Sequence, residues 1–141
     1  MLVDANLLLY AIDRSSPHHR SALAWWEHAL NGSERVGLPW QTIGAFVRIS
    51  THPRVSERPL TGASAWEYVR DWLDAPTVWI PPAGEGTARV YGTLVANTNI
   101  TGNLVPDAML AALAIEHGLE LHSADTDFAR FPGLRWRNPL S

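Results

Sequence analysis

A chain of 141 residues, 46% hydrophobic and 18% charged, is long enough to bury a core and too apolar to be disordered. Its net charge of −3, with 11 Arg and no Lys, excludes a general basic coat for nucleic acid and leaves only local Arg contacts to phosphate. The absence of Cys excludes disulfides, thiolate metal sites and cysteine nucleophiles, and no apolar run approaches the roughly 18 residues of a membrane span.

The first ten residues set the pattern. An apolar run over 1–3 meets Asp4, and a second apolar run follows, which predicts a buried strand over 1–3 turning into a helix over 5–12. The N-terminal run is short, carries Asp4 and has no basic flank, so no export signal is read and the expected location is cytoplasmic. Ser16 and Pro17 signal a helix start, as N-cap and first helical residue, for a helix over 18–30 that Asn31 and Gly32 stop. A strand is expected over 35–38, then a helix over 40–51 with Ile43, Phe46, Val47 and Ser50 on one face, ended by Pro53. After a loop over 54–60, a helix over 61–73 is periodic in Ala65, Tyr68, Val69 and Trp72. The β-branched and aromatic run 77–80 reads as a strand broken by Pro81 and Pro82. A helix over 87–96 and a polar loop over 97–103 precede a strongly apolar helix over 107–117, started by Pro106 and ended by Gly118. A strand over 120–122, a helical turn over 126–130 and a last strand over 134–136 complete the chain. Strands separated by helices predict an α/β fold: one three-layer α/β/α domain over 1–141 with a central parallel sheet.

The acids fall where such a fold collects function. Asp4 follows the first strand, Asp125 and Asp127 follow the strand over 120–122, and Asp107 opens the helix that feeds that strand. If those two strands are neighbours, the four carboxylates converge beyond one edge of the sheet. Clustered carboxylates without His or Cys form a hard-oxygen site suited to Mg²⁺ or Mn²⁺ and not to Zn²⁺. Such a site suits phosphodiester hydrolysis. Each acid also has a plainer reading: Asp4 as a helix cap, Asp107 as a first-turn residue favoured by the helix dipole, Asp125 or Asp127 as a turn residue. The case rests on the set.

Three stretches carry a resemblance. Val-Asp-Ala-Asn-Leu-Leu-Leu-Tyr at 3–10 resembles the first motif of PIN domains. The segment 102–118, with Asp107, resembles their third acidic motif, and the segment 121–131, with Asp125, the fourth. The segment 46–55 is similar to a subgroup of the VapC-type toxins, the ribonuclease half of toxin–antitoxin pairs. The resemblance implies a PIN-like fold and a Mg²⁺-dependent endoribonuclease, with Mn²⁺ as a substitute, acting on structured RNA such as tRNA or rRNA. Asp4, Asp107 and Asp125 take the places of the family's metal-holding catalytic acids, with Asn6 and Asp127 in support. The resemblance also implies a homodimer and a VapB-like antitoxin whose tail lies in an apolar groove, which Trp25, Trp26 or Trp40 would line if they are not core.

One motif departs. The family commonly places a Glu on the third helix, just before a pattern like Phe46-Val-Arg48; here that position is Ala45, and no acid occurs from Arg35 to Pro53. Gln41 shares the helical face of Ala45 and Arg48 lies three residues on, so they are the candidates to compensate, as an amide toward the site or a metal-bound water and a guanidinium toward phosphate in RNA; the plainer reading of Gln41 is a solvent-exposed side chain. With one carboxylate fewer, a single Mg²⁺ held mainly by Asp4 and Asp107 is expected. The alternative is a catalytically weakened PIN domain acting as an RNA- or antitoxin-binding module. An aspartate-based phosphatase is disfavoured, because Asn6 stands where that chemistry wants a second Asp.

Overall fold

The computed structural model describes residues 1–141. In chain order it contains β1 (Leu2–Val3), α1 (Ala5–Ile12), α2 (His19–Leu30), β2 (Val36–Gly37), α3 (Trp40–Ser50), α4 (Gly62–Leu73), β3 (Val78–Trp79), α5 (Glu85–Asn97), α6 (Leu104–His117), β4 (Leu121–His122), a 3₁₀ helix (Thr126–Arg130) and β5 (Trp136–Arg137). The order of elements is the expected one. The sheet is parallel throughout, in the order β3-β2-β1-β4-β5. The strands before and after β1 in this order are reached in opposite directions, so the switch point lies between β1 and β4. Leu2 pairs with Leu121 and Val3 with His122, which makes neighbours of the two strands that precede Asp4 and Asp125.

Successive strand residues point to opposite faces, and β1 shows this cleanly. Val3 belongs to a core with Leu8, Trp26, Val36, Phe46, Val69 and Trp72, drawn from α1 to α4. Leu2 belongs to the other core, with Leu121, Phe128 and the buried residues of α6. Two helical layers therefore sandwich the sheet, as a parallel sheet requires. The β2 backbone approaches β1 closely at Gly37, where a Cβ would lie 3.0 Å from Leu2 Cδ1 and 3.1 Å from the Met1 carbonyl.

Boundaries differ from the expected ones for local reasons. The Ser16 hydroxyl accepts from the His18 amide at 3.1 Å, closing a turn, so α2 starts at His19 without a side-chain cap. Pro106 does not start α6 but sits inside its first turn, where a missing N–H costs nothing, and the helix begins at Leu104. Thr61 is the N-cap of α4, its hydroxyl accepting from the Ser64 amide at 3.1 Å. Thr87 does not open α5; its hydroxyl accepts from the Gly84 amide at 3.1 Å from within the first turn. Gly118 ends α6 in the left-handed region, with φ 66°. A turn in which the Leu134 amide donates to the Phe131 carbonyl at 3.3 Å precedes the last strand, which starts two residues later than expected and spans Trp136 and Arg137.

Candidate metal centre

Asp4 is the first residue beyond β1. Its amide donates to the His122 carbonyl at 3.0 Å, so β1 and β4 stay joined up to the carboxylate itself. Asp4 Oδ1 accepts from the Ala5 amide at 2.8 Å and so caps α1. The cap and the site function are therefore not alternatives: one oxygen caps, and the other, Oδ2, turns to β4 and accepts from the Ser123 hydroxyl at 2.8 Å. Asn6 Nδ2 lies 3.1 Å from Ser123 Oγ and 3.4 Å from Asp4 Oδ2, and Asn6 Oδ1 accepts from the Ala124 amide at 3.3 Å. Asn6 thus joins the start of α1 to the loop after β4.

Ser123 is the hub of this network. It is fully buried, donates to Asp4 and accepts from the Asp125 amide at 3.0 Å. Asp125 then caps the 3₁₀ helix, its Oδ1 accepting from the Asp127 amide at 2.9 Å. From the other side of the site, α6 supplies Asp107 in its first turn. Carboxylate oxygens of Asp107, Asp125 and Asp127 all lie within 4.8 Å of one another. Asp127 is thus part of the acidic group itself, and Arg130 donates to its Oδ1 at 3.3 Å.

The electrostatics show carboxylates held closer than they would choose. Burial, followed by the charges of Asp125, Asp4 and Asp127, pushes the Asp107 carboxyl up to about 6, and Arg130 offsets only part of this. Burial also raises Asp4, against the hydrogen bonds from Ser123 and Ala5 that favour its charged form, and Asp125 adds to the rise. Asp4 therefore feels the acidic group although it stands at its inner edge. An all-oxygen set in which burial and acidic neighbours raise Asp4 and Asp107 fits a hard divalent cation, which would offset the crowded negative charge.

The other expected site residues divide. Gln41 Nε2 donates to the Pro106 carbonyl at 2.7 Å, so its amide braces α6 beside Asp107. Arg48 is exposed in the last turn of α3, and the cation that bears on Asp107 is Arg130. Ala45 is half-buried on α3, and α3 contributes no acid to the group. Trp26 is core, Trp25 stacks on His122 at 5.8 Å, and Trp40 is 66% exposed at the start of α3. Trp40 lines an apolar groove of about 400 Å³ with Gln41, Ile80, Pro81, Tyr91 and Met109, and none of the three lines the groove of about 800 Å³ between Leu9, Tyr10, Ile12, Ile49, Val55 and Leu60.

Sequence reasoning missed Ser123 and Thr42. The signal for Ser123 was a small polar residue directly after a buried strand and two before an Asp. Thr42, buried on the apolar face of α3, donates to the Val3 carbonyl at 2.8 Å. No helix is long and apolar enough to cross a membrane.

Comparison with known proteins agrees with this geometry. Residues 1–134 match the PIN domain family. Ribonuclease VapC33 of Mycobacterium tuberculosis is 43% identical over 140 residues, covering 99% of this chain and 98% of the relative. Ribonuclease VapC37 of the same organism is 42% identical over 138 residues, covering 98% and 96%. Among solved structures, VapBC2 of Rickettsia felis, bound to a DNA fragment from its promoter, shares the fold with a TM-score of 0.72 at 19% identity, covering 97% of this chain and 96% of that one.

Proposed function

Because the chain belongs to the PIN domain family, we propose that it is the toxin of a type II toxin–antitoxin pair, a Mg²⁺-dependent endoribonuclease that cleaves structured RNA. The observation that carries the reading is the acidic group of Asp107, Asp125 and Asp127 at the β1–β4 switch point, with Asp4 at its inner edge, in a chain 43% identical over its whole length to a ribonuclease. Asp4, Asp107 and Asp125 are the metal-holding acids of this reading, and Asp127 and Asn6 support them. A bound Mg²⁺ would polarise a phosphoryl oxygen and lower the pKa of a water. The chain's own part is placement. Ser123 and Asn6 orient Asp4, the 3₁₀ cap orients Asp125, and Arg130 restrains Asp127. Mn²⁺ has the same preference for oxygen and would substitute.

The reading takes residues 1–141 as one PIN domain, because β5, at Trp136–Arg137, lies beyond the family match and still pairs with β4. The partner of this reading is a VapB-like antitoxin, supported by the VapBC complexes among the solved structures of the same fold, and the family resemblance implies a homodimer. Cleavage of a tRNA and rRNA panel by the purified chain tests the reading. Activity should need Mg²⁺ or Mn²⁺, vanish in EDTA and vanish in Asp4→Ala; metal-independent cleavage that Asp4→Ala leaves intact would mean a contaminant and end the reading.

A further inference from the structure

Helix α3 lacks an acid, yet two successive residues of its first turn reach both walls of the site. The Gln41 amide donates to the Pro106 carbonyl at 2.7 Å and the Thr42 hydroxyl to the Val3 carbonyl at 2.8 Å. Each acceptor carbonyl shares its peptide plane with the nitrogen of a site aspartate: Pro106 with Asp107, and Val3 with Asp4. A peptide unit is rigid, so holding its oxygen fixes where the next Cα lies, and with it the base from which the carboxylate extends. At Asp4 the other side of the same peptide is held too, because the amide donates to the His122 carbonyl at 3.0 Å.

We propose that Gln41 and Thr42 form a clamp that sets the separation of Asp4 and Asp107, so that α3 serves the site by positioning carboxylates and not by supplying one. The clamp rests on the metal-dependent reading above. Adjacent helical residues point about 100° apart, which follows from 3.6 residues per turn. That divergence lets one turn bond to the end of β1 beneath it and to α6 beside it. The clamp holds both walls of the site from one helical turn. It also accounts for Ala45: with the two outer walls fixed from Gln41 and Thr42, the helix keeps its place at the site without the acid.

The test is Mn²⁺ affinity of the full chain without RNA, read from the free-Mn²⁺ electron paramagnetic resonance signal, with the melting temperature recorded alongside. Gln41→Met keeps the shape and removes the donor. Thr42→Val does the same at the buried bond, and Thr42→Ser keeps the hydroxyl. Gln41→Met and Thr42→Val should each weaken Mn²⁺ binding by about tenfold, the low end for partners that orient metal ligands. Thr42→Ser should stay near wild type, and Gln41→Met, at an exposed bond, should leave the melting temperature unchanged. Wild-type affinity in Gln41→Met, while Asp107→Asn binds weakly, overturns the clamp and leaves the metal reading standing. Wild-type affinity in Asp107→Asn itself overturns both. Should Thr42→Val not fold, Gln41→Met alone decides.

Discussion

At the scale of single residues, Ser123 shows how much of a site can rest on a side chain that carries no charge. Its hydroxyl orients Asp4 and receives the Asp125 amide, and it is fully buried, so no water can replace it without a cavity. Ser123→Ala should lower kcat for RNA cleavage by about 10–100-fold, the usual loss when a partner of a metal-holding group is removed. KM should change little, because Ser123 has no surface for RNA to meet; steady-state kinetics separate the two. Asp107 yields a prediction in pH. Its carboxyl titrates at about 6 in the folded chain against 3.8 in the unfolded one. Between those values the folded state keeps a proton that the unfolded state releases. Stability without metal therefore falls as pH rises through this window, and the loss is complete above about pH 6. Two units correspond to roughly 3 kcal/mol, reduced to about 1–2 kcal/mol by solvent screening at a half-exposed group. Urea midpoints in EDTA at pH 5 and pH 7 check this. Wild type should lose stability relative to Asp107→Asn between the two, and a constant difference would show that the Asp107 carboxyl is not raised. His122, whose pKa burial lowers, works in the opposite direction in both proteins and cancels from the comparison.

At the scale of elements, α6 carries the heaviest demands. Its residues Ala108, Ala111, Ala112 and Ala114 are buried, and with side chains this small α5 and the sheet both approach it closely. At its N-terminal end, Asp107 must arrive at the β1–β4 edge. Ala111→Leu should destabilise the fold by about 1–3 kcal/mol through overpacking, read from urea unfolding. At α3 the expected start, Trp40, is the observed one, whereas α6 begins at Leu104, three residues before the expected start. Pro106 was legible as a start signal, because proline is tolerated throughout a first turn; which position of that turn it takes was not. Gln41 was legible as a residue on the site's side of α3. Its destination was not, because an amide donates equally well to water, phosphate or a carbonyl, and only the approach of α6 supplies that carbonyl at 2.7 Å.

At the scale of the whole molecule, a metal bound at the acidic group would couple the site to the fold. The acids come from β1, α6 and the segment after β4, so a cation binding among them ties together parts of the chain that are far apart in sequence. A ligand that binds only the folded state stabilises it by about 2.7 kcal/mol at one hundred times its dissociation constant. Mg²⁺ should therefore raise the melting temperature of wild type, Ca²⁺-free buffer being used throughout, and leave Asp107→Asn nearly unmoved. The order of elements and the parallel sheet were both determined by the sequence alone, because apolar periodicity, β-branched runs and Gly or Pro stops are local properties of the chain. Family membership was legible too, in the stretches around Asp4, Asp107 and Asp125. What only the tertiary structure decided was distance. It made β1 and β4 neighbours, placed Asp127 within 4.8 Å of Asp107 and Asp125, and gave Ser123 and Thr42 their partners. The reason is physical: a hydrogen bond or a carboxylate repulsion depends on separations of a few ångströms between segments up to 119 residues apart in the chain, and strand order, not local pattern, sets those separations.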